Sequence, residues 1–170
     1  GKFTPRNSLQ VACSLDCAKL IGQKKTVKDA KVAQTAQKRE LIRQKEAIKT
    51  RSQWMKETQV AFNSWVRERD KDLPCISSGR ITGSWDAGHY RSVGSCPELR
   101  FEPLNCHRQT VHDNQHLHGN LIEYRQRLIE RIGLDKVEWL ESKHESKKYT
   151  IQELKELKEL YKKKLKDLQV

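Results

Sequence analysis

Apolar positions fall at helical spacing over residues 53–71, where Trp54, Thr58, Ala61, Phe62, Trp65 and Val66 form one face. That period predicts a helix with a core-facing stripe, ending in the charged turn RERDKD before Pro74. The same period returns after Asn120: LIEYRQRLIERIG reads as a helix stopped by Gly133, with a shorter one over 134–141. Thr150-Ile-Gln-Glu153 is a capping box, in which Thr and Glu satisfy each other's backbone N–H groups. It opens a last amphipathic helix carrying Ile151, Leu154, Leu157, Leu160, Tyr161, Leu165 and Leu168, expected to pack on the core or pair with a partner. It has too few turns to establish a coiled coil. Residues 75–104 are punctuated by Gly, Ser and Pro, which predicts short strands and loops. Residues 19–51 differ again. Val27, Val32, Leu41, Ile42 and Ile48 are too sparse to bury a face, so this stretch reads as a solvated or partly helical arm.

Charge sharpens that contrast. Of a formal net charge of +12 over 170 residues, the arm supplies most, with eleven Lys/Arg against three Asp/Glu. Such an excess favours a polyanionic partner, nucleic acid or an anionic membrane surface, over an acidic small molecule. With 35% apolar and 33% charged residues, a compact core occupies only part of the chain. No run approaches the ~18–20 apolar residues of a membrane span, and no signal-peptide pattern opens the sequence, so a cytosolic protein is expected. Five scattered cysteines then read as thiols or metal ligands rather than a disulfide framework. The pair Cys13-x3-Cys17 is either part of a zinc knuckle or two ordinary thiols, with no complete site here. The organisation expected is residues 1–18 as a knuckle remnant, 19–52 as the basic arm, and 53–170 as the folded domain.

Candidate chemistry is concentrated in NCHRQTVHDNQHLHGN, residues 105–120. It holds His107, His112, His116 and His118, with His89 a short way upstream in WDAGHY. Phosphodiester hydrolysis needs a base for water and a cation for the developing charge, and neutral imidazole suits both the base and the metal ligand. Asp86, His89, Asn105 and His116 provide carboxylate, base, orienting amide and ligand. A lone His is usually a surface or satisfied core residue, and a turn Asn usually bonds its own backbone. The clustering alone favours a metal or acid–base site only slightly.

At these residues the sequence resembles a known family. DLPCIS-SG, WDAGHYRSVGSCPELRFEPLNCHRQ, DNQHLHGN and YRQRLIERIG are similar to the bacteriophage lambda NinG (Rap) recombination proteins, of the HNH endonuclease type. The resemblance implies an α+β fold: a small ββα-metal core embedded in helices, with a basic helical or disordered arm and a C-terminal amphipathic helix. It implies His89 as the general base ending the first strand. Asn105 would hold the hairpin and orient His89, and His116 would open the helix as a metal ligand. Asp86 and Asn114 would complete a site for Mg²⁺ or Mn²⁺, with His107 and His112 as secondary candidates. Gly88 stands where many such proteins place an acid beside the base. Members of this type also carry two Cys pairs on a structural zinc. Here those four positions read Cys75, Ser78, Thr110 and Asp113, so three thiolates are missing. Either a remade site forms from Cys75, Cys106, His112 and Asp113, or no zinc binds and the hairpin relies on packing.

The expectation is therefore a metal-dependent, structure-specific endonuclease on branched DNA, in the host cytoplasm at the nucleoid. Lys24, Lys25, Lys28, Lys31, Lys38, Arg39, Arg43, Arg91 and Arg108 would contact phosphates. A symmetric junction would favour a homodimer, and recombination proteins of host or phage are further partners. A DNA-binding accessory protein that does not cut, and a helical interaction protein with structural zinc, are the alternatives.

Overall fold

In the computed structural model, residues 3–5, 7 and 10–169 are described. Part of the 1–18 knuckle remnant therefore lies outside the described residues. The chain divides into two compact units, residues 1–49 and 50–170. Among the described residues no helix is long and apolar enough to cross a membrane.

The first unit is dominated by one helix, α1 (Leu15–Ala47), with no buried residue. Ser14 caps it by accepting from the Cys17 N–H at 3.2 Å. The arm is thus a continuous helix in which Leu20, Val27, Leu41 and Ile42 all stay exposed.

The second unit is mostly helical, with a two-stranded antiparallel sheet. Helix α2 (Arg51–Arg69) buries Trp54, Thr58, Ala61, Phe62, Trp65 and Val66, the six positions that its periodicity marks. A capping box of Thr50 and Gln53 starts it, a signal the sequence reading passed over. Helix α5 (Ile151–Leu168) starts in the same way at Thr150 and Glu153. The two run side by side in one direction, Lys155 lying over the Trp54 ring and Lys164 over the Trp65 ring; the Thr58 hydroxyl donates to the Leu154 carbonyl at 2.9 Å, and Lys158 pairs with Glu57 at 2.7 Å. Phe62 is the hub between them, meeting Tyr161 at 4.8 Å and Phe101 at 5.7 Å, both edge to face. Such pairs add about 0.5–1.5 kcal/mol each beyond the area they bury. The face expected of α5 is divided. Leu154 and Tyr161 are buried, with Leu157 and Leu165 packed against them, whereas Ile151, Leu160 and Leu168 are exposed.

Strands β1 (Trp85–His89) and β2 (Cys106–Thr110) pair in register His89↔Cys106 to Trp85↔Thr110. The segment PELRFEPLN is not a strand. It forms two 3₁₀ turns, Pro97–Leu99 and Pro103–Asn105, each opened by a proline whose fixed φ suits a helical start. Helix α3 (Leu121–Ile132) ends at Gly133, which takes φ of 90°, and α4 (Leu134–Glu141) follows. The hairpin separates two cores. Ala87 and Cys106 join the α2–α5 cluster, while Tyr124 and Leu128 of α3 pack with Ile76, Leu99, Val137 and Leu140.

Candidate active site

His89 closes β1 beside a cleft of about 510 Å³, lined among others by Ala87, Tyr90, Arg91, Asn114, His118 and Leu121. Its Nε2 lies 2.9 Å from the Arg100 carbonyl. A carbonyl oxygen can only accept, so Nε2 carries the proton and the Nδ1 lone pair is left for another donor. The Cys106 sulfur is 3.7 Å from Nδ1, and the Phe62 ring is 6.1 Å from the imidazole. Burial lowers the pKa of His89, and the Arg100 charge adds to this against the opposing pull of the Arg100 carbonyl. The ring is therefore neutral at neutral pH.

Asn105, fully buried, clasps the loop between the strands. Its amide donates to the Arg91 and Leu99 carbonyls at 3.0 and 3.1 Å, and its oxygen accepts from the Arg91 N–H at 2.7 Å. With Tyr90 N–H bonded to the Asn105 carbonyl, this fixes the backbone following His89. Among the described contacts Asn105 makes no bond to the imidazole itself.

Asp86 accepts from the Asn114 amide at 2.9 Å and the Gln115 amide at 2.8 Å through one oxygen. The carboxylate and the Asn114 side chain thus meet near the cleft, and such oxygen donors suit a small hard cation that keeps most of its water. Among the described residues there is no group of three or more His, Cys, Asp or Glu arranged to hold a metal. The donors present fit Mg²⁺ or Mn²⁺ with substrate oxygens completing the shell. They do not make an all-protein cage.

His116 needs correction. It does not open a helix: it ends a π-turn, His112–His116, while α3 begins only at Leu121. The left-handed backbone at His118, Gly119 and Asn120 (φ 51°, 87° and 45°) breaks the chain between them. His116 is exposed, its ring 5.9 Å from that of His112, and it is not among the residues lining the cleft. His118 lines it instead. The sequence reading gave His118 no role, and helical spacing from Asn114 could not have found it, because the turn ends at His116.

Two other candidates are structural. His107 is buried, with Nδ1 3.2 Å from the Tyr124 hydroxyl, which in turn donates to the Gly88 carbonyl at 3.0 Å. Burial depresses its pKa to about 3, so it is a neutral core residue rather than a phosphate or metal contact. Arg108 lies 3.5 Å over the Trp85 ring and donates to the carbonyls of Asp70, Lys71 and Leu73 at the end of α2. All three bonds use Nη1, which ties the guanidinium to the turn after α2. Arg69 acts alongside it, pairing with Asp70 and donating to the Pro103 and Cys106 carbonyls. Buried Asp70, with Arg69, thus ties the end of α2 to β2. Arg91 does line the cleft, and Lys24, Lys25, Lys28, Lys31, Lys38, Arg39 and Arg43 are all exposed on α1.

Of the four positions where relatives would hold a structural zinc, Cys75, Thr110 and Asp113 converge on each other, with Ser77 beside them. The Cys75 sulfur lies 3.4 Å from Asp113 Oδ2 and from Ser77 Oγ, and 3.9 Å from Thr110 Oγ1. It also accepts the Thr110 N–H at 3.2 Å, and Ser77 donates to Asp113 at 2.8 Å. Burial works to raise the Asp113 carboxyl, yet the facing hydroxyls of Ser78 and Ser77, with His112 and Cys75, hold it well below the usual carboxylate range. Hydroxyls are poor zinc ligands, so this donor set does not suit zinc. The remade set fails too: Cys106 is four residues along β2 from Thr110, roughly 13 Å away, and packs beside His89. Gly88 has its own reason. A Cβ there would lie 1.9 Å from Gln109 Oε1, and that side chain is fully buried and tied to Ser77 and the Gly119 carbonyl. No acid fits beside His89.

Comparison with known proteins agrees with this chain's sequence throughout its length. The family described as Bacteriophage Lambda NinG protein matches residues 1–170. The chain is 44% identical to the protein ninG of Salmonella phage P22 over 98% of this chain and 88% of that protein. It is also 44% identical to the protein ninG of Escherichia phage lambda, over 98% and 87%, and 50% identical to that of Escherichia phage 933W, over 72% and 61%. No solved structure matches. The chain belongs to the bacteriophage lambda NinG protein family.

Proposed function

We propose that the protein is a metal-dependent endonuclease of the HNH type that hydrolyses phosphodiester bonds in branched recombination intermediates, such as Holliday junctions and D-loops. The observation that carries this reading is the tautomer of His89. The Arg100 carbonyl occupies Nε2–H, so Nδ1, which lies 3.7 Å from the Cys106 sulfur, is the nitrogen that would take a proton from water. Asn105 holds the chain after His89 in place, and Arg91 offers a guanidinium to the phosphate. A divalent cation, Mg²⁺ or Mn²⁺, held by Asp86 and Asn114 would polarise the phosphate and stabilise the departing 3′ oxygen. His118 takes the place that the sequence reading gave to His116, as the imidazole beside Asn114. The lysines of α1 neutralise phosphates away from the cut and carry no sequence readout.

The test is cleavage of a synthetic four-way junction and of the matching linear duplex with Mg²⁺ or Mn²⁺, for the parent and for His89→Ala. The parent should cut the junction preferentially, and His89→Ala should lower single-turnover cleavage by roughly a hundredfold or more with junction binding kept. Equal cleavage by the two would remove His89 as the base. Binding by the parent without cleavage under either metal would favour the second reading, a recombination accessory that binds branched DNA without cutting. The absence of an acid beside His89 speaks for that reading. Homodimers on two-fold symmetric junctions, and recombination proteins as partners at the nucleoid, belong to the same proposal.

A further inference from the structure

Three large aliphatic side chains stand exposed within six residues beside the cleft: Leu117, Leu121 and Ile122, at 47%, 49% and 78% exposure. The turn that carries them is tightly held. Leu117 N–H donates to the His112 carbonyl, Gly119 N–H to Asp113, and Asn120 N–H to Leu117. The buried Gln109 amide grips the Gly119 carbonyl at 2.7 Å. Two non-glycine residues, His118 and Asn120, are kept in left-handed backbone, a conformation that persists only where the surroundings impose it. A loose surface loop would have relaxed out of it. This one is fixed: Leu121 lines the cleft with His118 and Gly119, and Leu117 and Ile122 stand exposed just before and just after them in the chain.

We propose that Leu117 and Ile122 form a wedge that enters an interrupted base stack at a DNA branch, placing the adjoining phosphate in the cleft at His89. The inference rests on the phosphodiester reading of that cleft and adds what selects the substrate. Whatever occupies the cleft through its backbone must present its neighbouring groups to the aliphatic row, and in nucleic acid those groups are bases. In a continuous duplex the base faces are covered by stacking. At a branch they are open, and inserting an aliphatic side chain there costs far less. Residues 50–170 by themselves keep a basic excess, 22 Lys/Arg against 18 Asp/Glu, and Arg91 lines the same cleft, which favours a polyanionic occupant over an apolar protein surface.

The experiment uses the full chain with Ca²⁺ in place of a supporting metal, and a four-way junction carrying 2-aminopurine at the branch. A linear duplex with the same base at its centre is the control. The parent should raise 2-aminopurine fluorescence severalfold in the junction and not in the duplex. The double variant Leu117→Ser, Ile122→Ser should lose that rise and bind the junction about tenfold more weakly, with duplex affinity unchanged. Leu117→Met with Ile122→Leu should keep both the rise and the preference, which separates a wedge from a folding defect. Junction binding by the parent with no rise, or a rise that survives in the serine variant, overturns the wedge and leaves the cleft reading standing. Failure of the parent to bind either DNA overturns both. A serine variant that regains junction binding only with an apolar peptide present would assign the row to a protein partner and overturn the wedge.

Discussion

At His107 a residue that looked chemical turns out to be part of the core, and this has a measurable signature. Its folded pKa is depressed to about 3 from an ordinary 6.5. The unfolded chain takes up a proton near pH 6.5, whereas the folded protein resists until about pH 3. Stability from this residue is therefore complete above pH 6.5, falls as the pH drops, and levels off below about 3. His107→Gln should flatten that limb in denaturant midpoints recorded from pH 7 to 4; an unchanged limb would mean that His107 is already charged when folded. His89 as the residue closing a strand came from the family resemblance, and β1 does end there. The exchange of His116 for His118 was not legible. It depends on the π-turn and on three successive left-handed residues, of which only Gly119 advertises itself by type. Arg108 carries a second duty that its type does not advertise, holding the turn after α2 through Nη1.

Among the elements, α2 was legible residue by residue, since a single period fixed its whole buried face. Thr58 belongs to that face because its hydroxyl is shared between the Trp54 and Leu154 carbonyls. Phe62→Ala should cost about 3–5 kcal/mol in chemical denaturation, as it empties the ring hub between α2 and α5. Thr150→Ala should cost about 1 kcal/mol by removing one capping box, measured the same way. The turns around Pro97 and Pro103 were less legible: apolar residues spaced by prolines suit a strand edge or a 3₁₀ turn equally, and tertiary packing of Leu99 and Phe101 decides. The cluster around Cys75 gives the sharpest test at this scale. The parent's unfolding midpoint should not move with a chelator, whereas Ser78→Cys, Thr110→Cys and Asp113→Cys together should make it zinc-dependent, because the four positions already converge. A chelator-sensitive parent would contradict the hydrogen-bonded cluster.

For the whole molecule, composition separated a charged arm over 19–52 from a folded domain over 53–170, and the structure has two compact units, 1–49 and 50–170. The arm's helical state was not settled by its sparse apolar positions, because Ala, Gln and Lys favour a helix without needing a face to bury. Replacing Lys24, Lys28, Lys31 and Lys38 by Gln should reduce the slope of log K against log salt by about three to four for duplex DNA. An unaltered slope in equilibrium titrations would remove α1 from the contact.

The cluster around Cys75 also decides which insults the fold tolerates. A knot of four sulfurs opens when its ion is withdrawn or when its thiolates are oxidised, so its integrity follows the metal and redox supply of the surrounding cell. A knot of hydroxyls, one shielded thiol and one carboxylate answers to neither. Its weak point is acid: once Asp113 is protonated, the charge that draws Ser77 and His112 inward is gone, and the hairpin carrying His89 loses its anchor at the far end.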